Sequence, residues 1–436
     1  MTAPDAVEPR AVRGVAAALT ALALAGALTG CGAAGAGDDD TMDVWMYQDS
    51  LNVVQQAAVE RFNAEHAPEA EAVMVEIPGD GYEDKLRTAM GADDQPDVFF
   101  NWGGGGIRPY VEADLLLPLD DLLAGDPEFR DSFLPAVLEA GRIDGVQYGI
   151  PLRGTQPVLL FYNREVFDRI GAEPPETWDD LLDLVDRFRE EGVIPFALAG
   201  ATPWTEQMWL QYLVDRYGGP EVFARIQSGD HEGWRDPAVL RAAESVRDLV
   251  DRGAFGDSFG SVSYTEGAAS ALLAEGRAAM HLMGAWEYST QLADAPAFAE
   301  DDLGYVAFPT VPDGTGDPAN LVGNPTNFFS VTADSPHVDQ ALEFLRVTTG
   351  DEYVADMVAN GEVPTTADAA DLFAEAPDPE YAEFQYDLVQ RAPSFTLSWD
   401  QALPPSVAAP MHTEIQKLFN GQSTPQQFVD AMAALR

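Results

Sequence analysis

Residues able to perform covalent or metal chemistry are scattered through this chain. Its five histidines show no metal-ligand spacing, and no HExxH or CxxC pattern occurs. The chain carries 73 carboxylates, so abundance alone prevents any one pair from indicating a glycoside hydrolase. Four glycines, Gly103 to Gly106, follow Trp102, but no Gly-Lys-Ser or Gly-Lys-Thr completes a phosphate loop. We expect no catalytic set, metal or cofactor, and we expect these glycines to permit a sharp turn or a close backbone approach to a ligand.

The elements that must position a site follow an alternating pattern. From Met42 onward, short apolar runs alternate with amphipathic stretches, which is typical of an α/β fold. Thr177, followed by Asp179 and Asp180, indicates the start of a helix, since a hydroxyl cap and early acids favour that end. The predicted strands cover 43–47, 72–77, 96–100, 158–162 and 304–308, and the predicted helices include 51–65 and 82–90.

The composition restricts the partners. The formal net charge is −49, and a surface of that sign repels nucleic acid and anionic lipid head groups. The acids are spread along the chain, which indicates a solvated surface rather than an interaction tail. An apolar fraction of 46% predicts a folded core. The length predicts two or three domain-sized units.

The first thirty residues have the layout of a secretory signal. Arg10 and Arg13 precede an apolar run over 15–28, which is shorter than the roughly 20 residues that a membrane-spanning helix needs. The following Leu28-Thr29-Gly30-Cys31 resembles the lipobox of bacterial lipoproteins, although an ordinary signal with a chance cysteine is the alternative. We therefore predict a signal peptide over 1–30, lipidation of Cys31 and a tether over 31–40.

Eight segments stand in a characteristic order along the chain: 61–68, 82–90, 96–99, 148–152, 160–163, 174–182, 275–280 and 417–428. Together they resemble the family 1 extracellular solute-binding proteins, the sugar receptors similar to maltose-binding protein. Their order and spacing carry the resemblance, which covers nearly all of the chain after Cys31. Three shorter segments, 101–105, 283–287 and 323–325, resemble receptors for xylo-oligosaccharides.

The resemblance implies a periplasmic-binding-protein type II fold, with two discontinuous α/β lobes and a hinge of several segments. It places the crossings near Arg153, Tyr305 and Arg346. The N-terminal lobe would then comprise 41–153 and 305–346, and the C-terminal lobe 154–304 and 347–436.

The function that the resemblance implies is capture rather than catalysis. The protein would be the substrate-binding lipoprotein of an ABC importer, enclosing a short oligosaccharide, with xylobiose or a xylo-oligosaccharide favoured. It would deliver this sugar to the membrane permease subunits of the transporter. We expect a monomer on the extracytoplasmic face of the cell membrane, in the periplasm if an outer membrane is present, and held by its lipid alone.

A sugar site needs flat aromatic surfaces beside polar groups, because pyranose rings have apolar faces and hydroxyl rims. The resemblance places four tryptophans on cleft loops, and a buried core position is the alternative for each. Ligands in open α/β sheets bind beyond the carboxyl ends of strands, which favours Gln48 and Asn101. Arg153 could instead form an ion pair between the lobes. The predicted substrate-binding residues are Gln48, Tyr82, Asn101, Trp102, Arg153, Trp204, Trp286, Glu287, Asn324, Asn327, Trp399 and Asp400.

Two other functions stay open. A receptor for a polyamine, a peptide or another small solute would place facing carboxylates between aromatic rings, which the acidity of this chain allows. A secreted carbohydrate-active enzyme is the second alternative. A neutral sugar requires Trp286 and Trp399 to lie flat across a cleft, with amides and Arg153 beside them. A cation instead requires clustered acids along the cleft.

Overall fold

A computed structural model describes residues 41–49, 51–68, 70–92, 94–367 and 369–435. The predicted signal peptide, Cys31 and the tether lie outside these residues. The described chain forms two α/β lobes, each built on its own sheet, and the predicted α/β class is confirmed. No helix in this described part is both long and apolar enough to cross a membrane.

The strands and helices alternate along most of the chain. The strands are β1 (Thr41–Tyr47), β2 (Glu71–Ile77), β3 (Val98–Asn101), β4 (Arg142–Ile143), β5 (Val146–Gln147), β6 (Ile150–Pro151), β7 (Gln156–Asn163), β8 (Ile194–Ala197), β9 (Ala278–Gly284), β10 (Leu303–Val306), β11 (Leu321–Asn324), β12 (Phe328–Val331) and β13 (Phe395–Leu397). The α-helices are α1 (Asn52–His66), α2 (Tyr82–Met90), α3 (Arg108–Glu112), α4 (Asp120–Gly125), α5 (Pro127–Ser132), α6 (Pro135–Glu139), α7 (Arg164–Ile170), α8 (Trp178–Glu190), α9 (Pro203–Gly218), α10 (Pro220–Gln227), α11 (Pro237–Asp251), α12 (Ala268–Ala274), α13 (Trp286–Asp294), α14 (Pro296–Asp301), α15 (Val338–Arg346), α16 (Asp351–Ala359), α17 (Pro379–Arg391), α18 (Trp399–Ala402), α19 (Pro405–Phe419) and α20 (Pro425–Met432).

The first lobe is built on a five-stranded sheet with the order β2-β1-β3-β12-β6. β1 runs parallel to β2 and β3, whereas β12 runs antiparallel to β3 and β6. The carboxyl ends of β1, β2 and β3 therefore lie at one edge of the sheet, where ligands of α/β proteins commonly bind. That edge positions one side of the candidate site.

The second lobe has the sheet order β13-β11-β7-β9-β8, and β10 also pairs with β7. Its core is the larger of the two and takes aromatic residues from α8, α9 and α19. α8 begins with a capping box, in which Thr177 and Asp180 satisfy each other's backbone N–H groups. The helix start predicted at Thr177 is confirmed.

The chain passes between the sheets at three places. The first lies between β6 and β7, where Arg153 stands. β10 and β11 both pair with β7, so the chain stays with the second sheet beyond Tyr305 and returns to the first sheet only between Asn324 and Phe328. This second crossing therefore lies later in the chain than the boundary predicted near Tyr305.

The third crossing lies beyond Arg346. α15 contributes to the core of the first lobe, and α16 packs against α1. The chain then runs beside the first crossing, where the N–H of Thr155 donates to the carbonyl oxygen of Val363 at 2.8 Å. Tyr381, on α17, belongs to the core of the second lobe. Residues 361–366 thus form the third hinge segment.

Candidate ligand-binding cleft

Four aromatic side chains gather where the first three strands end. Trp102 follows β3, and its ring lies edge-on to Phe100 at 4.8 Å and to Tyr47 at 5.4 Å between ring centroids. Tyr82 is fully buried, and its hydroxyl donates to the carbonyl oxygen of Phe100 at 2.5 Å. Tyr82 therefore supports this aromatic wall from behind, while Tyr47 and Trp102 are half-buried at its surface.

The second lobe supplies a matching wall. Trp204 lies in the first turn of α9, Trp286 begins α13, and Tyr264 lies on the loop before α12. The ring centroid of Trp204 is 4.7 Å from that of Tyr264 and 6.1 Å from that of Trp286. A Cβ at Gly284 would lie 2.1 Å from the Trp286 ring, so only glycine lets this ring lie against the end of β9. Sequence and local geometry together fix the position of Trp286.

The two walls approach each other across the cleft. Burial is the main reason that the pKa of Tyr264 lies well above its ordinary value, and Tyr47 and Asp49 of the first lobe are close enough to raise it further. These groups belong to different lobes. The structure is therefore that of a closed form, in which the two walls face each other at short range.

The glycine run confirms the close approach of the lobes. Gly103 and Gly104 have φ angles of 76° and 59°, which L side chains rarely adopt. A Cβ at Gly104 would lie 2.6 Å from the carbonyl oxygen of Gln401, and one at Gly105 would lie 2.5 Å from the carbonyl carbon of Leu403. The predicted sharp turn is confirmed. The backbone that comes close is that of the opposite lobe.

Arg153 is fixed within the first lobe. It is 3% exposed, and both terminal nitrogens of its guanidinium bond to the Asp49 carboxylate, one of them at 2.9 Å. The same side chain donates to the Asn52 amide oxygen at 2.8 Å. Asp49 follows β1, so this ion pair joins two parts of one lobe rather than the two lobes. It braces the first crossing behind the aromatic wall.

The predicted amides lie in three different settings. Asn101 bonds to the Ser330 hydroxyl at 2.9 Å and accepts from the N–H of Gly103, so it holds the loop after β3. Asn324 and Asn327 lie at the second crossing, and each has one buried polar atom without a hydrogen-bond partner among the described residues. Gln48 is exposed beside β1. The two asparagines at the crossing thus keep hydrogen-bonding capacity that the described residues do not use.

Two predicted site residues lie in the core of the second lobe. Trp399 is 1% exposed, and its ring stacks on that of Phe223 at 5.3 Å with an angle of 17° between the planes. Glu287 is fully buried, where its oxygens accept from Ser270 at 2.8 Å and from Gln291 at 2.7 Å. For Trp399 the structure favours the buried alternative, because Phe223 of α10 covers its ring. Glu287 lies neither at the surface nor in the cleft, because Ser270 of α12 and Gln291 of its own helix satisfy its carboxylate.

Asp400 lies at the cleft and brings a charge to it. Its carboxylate accepts from Gln207 at 2.8 Å, and Gln207 in turn contacts the His412 ring nitrogen at 3.1 Å. Across the cleft, desolvation raises the pKa of Glu83, and the nearby Asp400 raises it further. Two carboxylates thus approach each other from opposite lobes when the cleft closes.

Several residues at this cleft are missing from the sequence prediction. Tyr47 ends β1 one residue before Gln48, so the rule that placed Gln48 could have found it. Tyr264 stands on an irregular loop that carries no local signal. Glu362 and Ser289 lie together at the hinge beside Trp286, and they are brought there by two elements far apart in sequence.

The sequence does contain one serine motif that the expectation of no catalytic set passed over. Residues 256–260 read Gly-Asp-Ser-Phe-Gly, which fits the G-x-S-x-G pattern. Ser258 is exposed and follows α11, whereas a nucleophile elbow requires a strand before the serine. The motif lacks its structural context. Among the described residues, no group of three or more His, Cys, Asp or Glu side chains is arranged to hold a metal ion.

Two lobes that close on aromatic walls and buried amides define a receptor that encloses a small ligand. A model of the bacterial extracellular solute-binding proteins matches residues 48–355. This chain belongs to that family.

The chain is also similar to individual sugar-binding and ABC transporter proteins and to a solved structure. The diacetylchitobiose-binding protein DasA of Streptomyces coelicolor is 27% identical over 372 residues, which cover 79% of this chain and 81% of that protein. Two ABC transporter extracellular-binding proteins of Pyrococcus horikoshii are each 26% identical, and this chain spans about half of their length, 44% and 49%. A solved structure from work on xylan utilization by the thermophilic bacterium Caldanaerobius polysaccharolyticus is 26% identical, has a TM-score of 0.82, and is matched over 90% of this chain and 98% of that one. The expected type II fold is confirmed.

Proposed function

We propose that this chain is the extracytoplasmic substrate-binding lipoprotein of an ABC importer and that it captures a short oligosaccharide by closing its lobes. The observation that carries the proposal is the pair of aromatic walls, with Trp102 on one lobe and Trp204 and Trp286 on the other. Sugar rings stack their C–H faces on such surfaces. Unpartnered amide atoms of Asn324 and Asn327 are suited to the hydroxyl rim.

Closure explains how such a site works without covalent chemistry. A ligand that contacts both lobes only in the closed form shifts the population toward that form, and the permease recognises it. A micromolar affinity corresponds to about 8 kcal/mol, which stacked rings and buried hydrogen bonds can supply after ordering costs. A lipid on Cys31 holds the receptor at the membrane, and the receptor acts as a monomer.

Xylobiose or a longer xylo-oligosaccharide is the substrate that we favour. Segments 101–105 and 283–287, which resemble receptors for these sugars, carry Trp102 and Trp286 of the two walls. The similar structure from work on xylan utilization supports the same substrate class. The match to a diacetylchitobiose-binding protein keeps other short glycans in the panel of ligands to be tested.

One observation favours a second candidate, a cationic solute such as a polyamine. Glu83 and Asp400 approach from opposite lobes, and each raises the cost of closing on the other. A cation between them would relieve that repulsion. Binding of a polyamine would leave the receptor class intact and replace the sugar.

A thermal-shift screen of the protein beginning at Gly32 separates these functions. The ligands are xylobiose, xylotriose, cellobiose, maltose, raffinose, diacetylchitobiose, spermidine and a dipeptide mixture. At 100 times its dissociation constant a ligand adds about 2.7 kcal/mol to the unfolding free energy, which gives a clear rise in melting temperature. We expect xylobiose to raise it.

Two variants control that screen. Trp286→Ala should abolish the sugar shift, because it removes one face of the stacking site. Tyr386→Ala, which removes an aromatic ring packed on Phe373 outside the cleft, should retain it. If only spermidine raises the melting temperature, or if none of the sugars does, the carbohydrate function is contradicted.

A further inference from the structure

The hinge contains a small pocket that Trp286 helps to line. It is lined by the first crossing at Gly154 and Thr155, the third crossing at Glu362, and Ser289 on α13. Its size suits about one water molecule or one hydroxyl group rather than a sugar ring. The first and third crossings and the second lobe therefore meet around a space for a single polar group.

Two buried oxygens in this pocket have no hydrogen-bond partner among the described residues. Glu362 is 8% exposed, and one of its carboxylate oxygens accepts from the N–H of Gly154 at 2.8 Å while the other, Oε1, has no partner. Ser289 is 5% exposed, and its hydroxyl is likewise without a partner. Buried polar atoms without partners are rare and costly, so the pair indicates a ligand group.

The electrostatics of the hinge favour a hydrogen-bond donor beside Glu362. Arg153 is the cation that faces both Glu362 and Asp49, and it is already bonded to Asp49. Burial raises the pKa of Glu362, whereas Arg153 and the bond from Gly154 oppose that rise. The carboxylate is thus held by one backbone N–H, with its second oxygen available to a donor.

We propose that Glu362 and Ser289 form a hinge subsite that binds one hydroxyl group of the captured sugar. The hydroxyl donates its proton to Oε1 of Glu362 and accepts from the hydroxyl of Ser289, a combination that one sugar hydroxyl can satisfy. This inference rests on the proposed function. The pocket is completed by segments that move on closure, so this contact selects sugars with a hydroxyl at one position and forms only in the closed form.

Calorimetric titration with xylobiose tests the subsite. Ser289→Ala should weaken binding about two- to tenfold, the usual effect of one lost hydrogen bond, and Glu362→Gln should weaken it at least as much because a charge-assisted bond is lost. Thr290→Ala, which removes a hydroxyl from the adjacent position on α13, is the matched control and should change the affinity less than about twofold. Melting temperatures of all variants establish that they fold.

Monodeoxy analogues of xylobiose separate a direct contact from a purely structural role. For one analogue, the loss in affinity on the unsubstituted protein should equal the loss from Ser289→Ala, and the two losses should not add. If Ser289 instead has a structural role, such as holding a water molecule or stiffening the hinge, Ser289→Ala should weaken the binding of every analogue by the same factor.

The outcomes distinguish the two proposals. The subsite is wrong if the unsubstituted protein, Ser289→Ala and Glu362→Gln bind xylobiose equally. It is also wrong if the losses are additive for every analogue. In both cases the proposed function as a sugar receptor is unaffected. If another sugar of the panel binds instead, its own monodeoxy analogues are used. Absence of binding by all the sugars overturns the carbohydrate function, and the subsite with it.

Discussion

Replacing Gly105 with alanine should block closure without harming the open protein. In the closed form the new Cβ would lie 2.5 Å from the Leu403 carbonyl carbon and 2.6 Å from its oxygen. Ordinary contact begins at 3.4 Å, so the two backbones must separate by about 0.9 Å. Gly105 does not have a positive φ, so alanine introduces no strain of its own. The clash exists only where the lobes meet.

The expected magnitude follows from the cost of overpacking. An added methyl group in a well-packed contact costs about 1–3 kcal/mol. Because the open form does not pay this cost, the closed population falls by about 5- to 150-fold, and the ligand affinity falls by the same factor. The melting temperature without ligand should change little.

Calorimetric titration of the sugar that the thermal screen identifies measures this effect. Gly106→Ala is the matched control, because a Cβ there would have only the Gln401 side-chain oxygen within 4.0 Å. Gly106→Ala should bind as the unsubstituted protein does. If Gly105→Ala also binds with unchanged affinity, the contact between Gly105 and Leu403 is not a requirement of the ligand-bound state, and the reasoning fails.

Two further substitutions, Arg153→Ala and Glu206→Gln, test stability. Arg153→Ala should lower the unfolding free energy by about 3 kcal/mol in urea titrations, because it removes the buried partner of Asp49. The control Arg391→Ala, which breaks an exposed ion pair, should lower it by less than about 0.5 kcal/mol. Similar losses from the two variants would contradict the role of Arg153 as a buried brace of the first crossing. Glu206 is fully buried, its oxygens have no partner among the described residues, and burial raises its pKa to about 8. The unfolded chain loses this proton near pH 4.5, so the unfolding free energy should fall by about 1.4 kcal/mol per pH unit from there to about pH 8, and Glu206→Gln should flatten that slope in melts at pH 5, 6.5 and 8.

The fold was predictable where its signals are local. The helix predicted over 82–90 has the bounds of α2, and the strand predicted over 72–77 differs from β2 by one residue. Apolar periodicity and turn residues determine such elements within one short window. The lobe boundaries at Tyr305 and Arg346 differ from the structure, because they depend on whether β10 pairs with β7 and α16 with α1. Pairing over such separations leaves no local trace.

The candidate site was predictable only in part for the same reason. Trp286 and Trp399 both follow strands and both stand where cleft loops were expected. What separates them is Phe223, which covers the ring of Trp399 from a helix about 180 residues earlier in the chain. Glu362 and Ser289 are likewise adjacent only in three dimensions. Residue type indicates what a side chain can bind, whereas its neighbours decide whether it is reachable.

The order of the first sheet has a consequence for the time at which this protein can fold during synthesis. β12 lies between β3 and β6, although some 225 residues separate it from β3 in the chain. Until residues 328–331 have left the ribosome, β3 has an unpaired edge and the hydrophobic core of its lobe is incomplete. Shortened chains that end before β12 should therefore remain unfolded and prone to aggregation, and the first lobe, despite its name, should be completed late.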